Sequence, residues 1–172
     1  MQAIRFLEED EKKTCAKTGK PAQIQYYNFY YTTSAFLSIV QQKVKKQLLG
    51  KLDRQQNITV DSTLALYYCK RLYPEFTFTQ GNSADIISWS MDDELDLYWK
   101  QLRQQKAESP GKILLFLHVQ DRELELVSKL LDISHEIKEK TYPFDDLDNQ
   151  FYGIKTTLLK NMTQIKTLGR SV

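Results

Sequence analysis

The run from Phe76 to Val119 changes local character faster than any other part of the chain, and it limits the fold most. Phe76-Thr77-Phe78-Thr79 is β-prone, and Gln80-Gly81-Asn82-Ser83 reads as a turn. Asp85-Ile86-Ile87-Ser88-Trp89-Ser90 reads as a second strand. Met91-Asp92-Asp93-Glu94-Leu95 then opens an amphipathic helix to about Gln105, which Pro110-Gly111 ends. Ile113 to Val119 closes the unit as an apolar strand. Strand, strand, helix, strand in so short a space calls for a small sheet with a helix packed on it. The 172 residues, 41% apolar, supply one domain-sized core or a core with an appendage.

On either side the pattern is simpler. Ala3 to Leu7 suits a strand, and Ile24 to Thr33, dense in Tyr26, Tyr27, Phe29, Tyr30 and Tyr31, suits another. Ser34 is placed to cap a helix whose apolar positions Leu37, Val40, Val44 and Leu48 recur at three and four, with Gly50 at its end. Asp61 or Ser62 can cap a second helix through Leu64, Leu66, Tyr67 and Leu72, stopped by Pro74. Beyond Val119 the chain turns helical. Leu126, Leu130, Ile133 and Ile137 mark a helix over Asp121 to Lys140. Leu147, Phe151, Ile154, Leu158, Asn161, Ile165 and Leu168 follow at alternating spacings of four and three, a heptad seam with one polar member. These observations divide the chain into residues 1–120 and a helical part, 121–172.

Several function classes find no support. The net charge of +2 names no polyanionic partner, so any electrostatic recognition has to be local. No apolar run approaches the length of a membrane span, and the first ten residues lack the apolar core of a signal peptide, so a cytoplasmic or nuclear protein is expected. Cys15 and Cys69 make neither a disulfide framework nor half of a zinc site. His118 and His135 have no partners at triad or metal-ligand spacing. Glycine-rich phosphate loops and nucleophile elbows are absent. The expectation is therefore no catalytic residue, no metal and no cofactor.

The order of elements resembles the ubiquitin-like β-grasp of the Phox–Bem heterodimerisation domains. Ile4-Arg5-Phe6-Leu7 and Ile24 to Tyr31 look like that family's first two strands, and Phe76 to Thr79 and Asp85 to Ser90 like its third and fourth. Met91 to Leu95 is similar to its acidic second-helix start, and Ile113 to Val119 to its last strand. The resemblance implies an α+β fold, a β-grasp-type mixed sheet over residues 3–120, here followed by a C-terminal helical hairpin. It also implies binding between a basic face and an acidic one. Arg5, extended by Lys43, Lys45 and Lys46, would form the basic face; Asp92, Asp93 and Glu94 would belong to the acidic face.

Each feature also has a plain structural reading. Acids in a first helical turn meet the positive end of the helix dipole. Lys43, Lys45, Lys46, Lys51 and Arg54 suit a solvated helix face as well as a phosphate-binding stripe. The tyrosines divide between core and surface by strand alternation. The heptad seam suits a hairpin folded on Leu126 to Ile137 or a partner helix, with Asn161 favouring one register. Taken together, the residues predict a non-catalytic protein–protein interaction adaptor, a scaffold or accessory subunit of a heteromeric complex. The alternative is an accessory subunit of a DNA- or RNA-processing complex that meets nucleic acid through that complex. No membrane contact is expected.

Overall fold

The computed structural model describes residues 4–52, 57–108, 110, 112–141 and 153–169. Three short strands, β1 (Ile4–Phe6), β2 (Ile24–Tyr26) and β3 (Phe29–Tyr31), form an antiparallel sheet in chain order. The aromatic run is thus a hairpin rather than one long strand. It reverses at Tyr27, which takes the left-handed conformation at φ 55°. The turn keeps both Tyr26 and Tyr27 buried and leaves Phe29 exposed.

Helix α1 (Thr33–Leu48) follows, capped by the Thr32 hydroxyl, which accepts from the Ala35 N–H at 3.3 Å. Its buried stripe contains Phe36, Val40, Val44 and Leu48, as the spacing of apolar residues requires. Strand β4 (Ile58–Val60) runs directly into α2 (Thr63–Leu72), whose cap is Ser62. Strand β5 (Phe78–Gln80), strand β6 (Ile86–Ser90), helix α3 (Met91–Leu102), strand β7 (Ile113–Phe116) and helix α4 (Asp121–Leu131) come next. Asp132, left-handed at φ 53°, ends α4 well short of Lys140. Residues 133–141 carry no regular structure, and a last helix, α5, spans Ile154–Gly169.

The second sheet has the order β5-β4-β6-β7, and all its pairs are parallel. This overturns the β-grasp expectation, while a mixed α and β fold stands. Phe76–Thr79 and Asp85–Ser90, read as successive strands about a turn, do not pair with each other; both pair with β4, one on each side. A return crossover is not needed between them, because β5 ends and β6 starts at the same level: Val60 is opposite both Gln80 and Ile86. The five intervening residues cross beside Thr59. Gly81 N–H donates to Val60 O (3.0 Å), Asp85 N–H to Thr59 O (2.8 Å), and the Asp85 carboxylate takes the Thr59 N–H (2.9 Å). A Cβ at residue 81 would stand 3.1 Å from Thr59 Cγ2, so glycine permits the close approach.

The main core joins both sheets to α1, α2 and α4, through Phe36, Leu64, Tyr68, Ile86, Phe116 and Leu124 among others. It therefore runs across residue 120. A smaller cluster, Met91, Leu95, Tyr98 and Leu159, fixes α5 on α3. Leu147 and Phe151 lie outside the described residues. Within the described part, α4 gives Leu126 to the main core, and α5 turns Leu158, Leu159 and Met162 to α3. Ile154 is half-buried and Asn161 is exposed, off the buried face; the Ile165 side chain lies outside the described residues.

Candidate functional site

Three β-to-α junctions place helix N-termini at the carboxyl edge of the parallel sheet: β4 to α2, β6 to α3 and β7 to α4. The chain leaves β4 outward to β5, then returns to the other side as β6. That reversal makes the β4–β6 edge a topological switch point, where open α/β sheets bind ligands. Helix N-termini there favour negative charge.

Here the chain's own carboxylates occupy all three ends. Beside α2, Asp61 accepts the Ser88 N–H at 2.9 Å and the Ser88 hydroxyl at 2.7 Å. The Ser62 hydroxyl lies 2.5 Å from that of Ser88. At α3, Asp93 forms a capping box with Ser90, and Glu94 accepts from Trp89 Nε1 at 2.9 Å. At α4, Glu123 accepts the Gln120 N–H at 2.9 Å and is fully buried.

Lysines from distant segments then neutralise these acids. Lys155 on α5 reaches Asp92 at 2.6 Å, with both side chains only 2% exposed. Lys140 reaches Asp93 at 2.5 Å and Asp121 at 3.3 Å. Lys43 reaches Glu123 at 2.7 Å. Asp96 pairs with Lys100 at 2.6 Å and accepts the Thr141 N–H and hydroxyl at 2.7 Å each. Burial, with the Asp92 charge beside it, lifts the Asp121 carboxyl to about 6. Asp92, Asp93 and Glu94 are thus buried and paired inside the chain, so an exposed acidic knuckle is not what this helix start presents.

Residues 133–141 lie over the same edge. The His135 ring packs edge-on against Phe116 at 6.0 Å, and Lys138 sits 5.5 Å above the Trp89 ring. Burial holds the His135 imidazole below its ordinary pKa. Among the described residues no hydrogen bond joins His135 to Ser88 or Asp61.

The basic residues singled out from sequence separate. Arg5 is engaged by Glu11 through two 2.7 Å hydrogen bonds, which hold the Glu11 carboxyl down at about 2. Lys43 is half-buried against Glu123 and the Tyr26 hydroxyl, while Lys45 and Lys46 are exposed. At about 100° per residue, Lys46 lies on the Lys43 side of α1 and Lys45 on the far side. Arg54 lies outside the described residues. Sequence reasoning missed four elements of this region: β4, the Asp61–Ser88 contact, Gln120 and Lys160. The signal for β4 was present, since Ile58-Thr59-Val60 followed at once by a Ser62 cap is a β-to-α junction.

A short parallel sheet with helix starts gathered at its carboxyl edge defines the class: an open α/β fold of the kind that holds ligands at a switch point. Among solved structures, this one is similar to the U34-tRNA thiolase NcsA from Methanococcus maripaludis, solved with its [4Fe-4S] cluster. The match has a TM-score of 0.64 at 12% identity, over 90% of this chain and 88% of that one. No family model matches the chain, and no curated protein matches it in sequence.

The likeness is one of fold, and it corrects the expectations built on Phox–Bem resemblance. The frame is one that a tRNA-modifying enzyme uses, so the non-catalytic adaptor and its scaffold and ubiquitin-like descriptions lose their basis. The neighbour's cluster does not fit this chain. Such clusters are held by several cysteine thiolates, and this sequence has two cysteines. Cys69 is fully buried in the core, and burial pushes its thiol up to about 12. Cys15 belongs to the loop before β2 in the other sheet, and among the described residues no group of three His, Cys, Asp or Glu is placed to hold a metal. No helix of the described residues is long and apolar enough to cross a membrane.

Proposed function

We propose that this chain serves tRNA modification, with a tRNA as its macromolecular substrate. The observation that carries the reading is the shared fold with a U34-tRNA thiolase over nearly the whole length of both chains. The architecture agrees, with three helix N-termini, two adjacent serine hydroxyls and the segment 133–141 all at the carboxyl edge. A chain of net charge +2 can hold RNA only through a local concentration of cations; Lys46, Lys51 and Lys160 are exposed and, among the described residues, make no ion pair.

Two measurements test the reading. The purified chain should bind deacylated tRNA at low salt, with affinity falling steeply as salt rises. Cells lacking the chain should lose a modification at U34, read by mass spectrometry of tRNA nucleosides. Absence of tRNA binding even at low salt, together with an unchanged U34, overturns the proposal.

A further inference from the structure

Four lysines and a histidine from four separate parts of the chain lie beside the carboxyl edge, with Lys46 one turn along α1 from Lys43 and Lys160 one turn along α5 from Thr156 and Thr157, which line one recess with Lys43. Lys43 and Lys46 come from α1, Lys51 from the turn after it, His118 from the turn after β7, and Lys160 from α5. Lys46, Lys51, His118 and Lys160 are exposed, and among the described residues none of them makes an ion pair. Most other interior-facing cations are already matched: Arg5 to Glu11, Lys140 to Asp93, Lys155 to Asp92. Glu123, at the start of α4, is fully buried and held by Lys43. Crowding by its surroundings, then the Lys43, Lys51, Lys46 and Lys160 ammonium groups, keep the His118 imidazole below its ordinary pKa.

A recess of about 310 Å³ adjoins this face and shares Lys43 with it; Tyr26, Tyr27, Gln120, Thr156 and Thr157 line it. Gln120 is only 3% exposed. Its Nε2 donates to the Tyr27 hydroxyl at 2.6 Å, while its Oε1 is buried and, among the described residues, has no hydrogen-bond partner. Whichever way the amide is turned, one of its two ends is left over. A buried amide atom without a partner is unfavourable, and a ligand hydrogen bond in the recess relieves that cost.

We propose that this face and recess form the docking site for the tRNA backbone: Lys46, Lys51 and Lys160 take phosphates, and Gln120 Oε1 accepts a ribose 2′-hydroxyl in the recess. The inference rests on the tRNA reading above and gives that reading a location. The neighbouring helix N-termini carry the chain's own carboxylates, so phosphates are kept off the switch point and onto the lysine face beside it. The 2′-hydroxyl contact makes the site prefer RNA to DNA of the same sequence.

The test compares two triple variants of the full chain in tRNA binding across a salt series. Lys46→Glu, Lys51→Glu, Lys160→Glu reverses the face; Lys12→Glu, Lys70→Glu, Lys129→Glu makes the same change of net charge elsewhere. The face variant should lose roughly tenfold or more in affinity at low salt, and its salt slope should flatten by about one per lost phosphate contact. The control should lose much less. Gln120→Met, near in volume and without the amide, should bind tRNA more weakly while binding the matching DNA unchanged. Equal losses in both triples, or no loss in the face variant, overturn the location and leave tRNA binding itself intact. Failure of the unaltered chain to bind tRNA overturns the location and the functional reading together.

Discussion

Around the two sulfurs, the chain sets opposite conditions. Burial opposes ionisation of Cys15, but the Thr18 hydroxyl and the N–H groups of Thr32, Lys17 and Thr18 outweigh it and bring the thiol down to about 6. At Cys69 burial, reinforced by the Asp61 charge, pushes the thiol up to about 12. Thiolate absorbance should therefore show one group ionising around pH 6, absent in Cys15→Ser. A native protein with both thiols titrating above about pH 8 would contradict this. The stability consequence has a definite sign. A thiol depressed on folding contributes stability that is full above its unfolded pKa of about 8.5 and is lost as pH falls through about 6. Between those limits the melting temperature of the unaltered protein should fall further than that of Cys15→Ser.

Among elements, the outcome turned on three residues. Ile58-Thr59-Val60 is too short to show a period, yet as β4 it sits between β5 and β6 and makes the sheet parallel. Without it, Phe76–Thr79 and Asp85–Ser90 read only as two strands about a turn, because local pattern cannot tell a reversal from a sideways step. The helices were more legible, since α1 and α2 lie where apolar spacing and capping residues put them, within a few residues. The candidate site was legible only in parts. The acidic start of α3 is plain in sequence, but its lysine partners lie 47 and 63 residues away, beyond any local signal. Gln120 and Lys160 meet Lys43 and His118 only through folding. The sideways step itself can be probed by a mutant cycle. Gly81→Val should destabilise by about 1–3 kcal/mol through crowding at Thr59. In a Thr59→Ser background, which lacks the Cγ2 methyl, the loss should shrink, giving a coupling above about 0.5 kcal/mol in urea denaturation. Strict additivity would remove the close approach as the reason for glycine.

For the molecule as a whole, the Asp92–Lys155 pair ties the final helix to the second β-to-α junction of the parallel sheet. Lys155→Ala should cost about 3–5 kcal/mol in urea denaturation, because it leaves an uncompensated buried carboxylate. Adding Asp92→Asn should restore part of that loss, since the second change removes the stranded charge. A cost below about 1 kcal/mol for the single variant would mean that the pair is solvated in solution. The same pair bears on how the polypeptide matures. While the ribosome is still short of codon 155, the α3 terminus has no cation for Asp92, and the apolar cluster around Leu95 has no Leu159 to cover it. Nascent chains therefore wait, with that half unsettled, until residues 155 to 159 have emerged, and synthesis interrupted before that point yields fragments open to proteolysis.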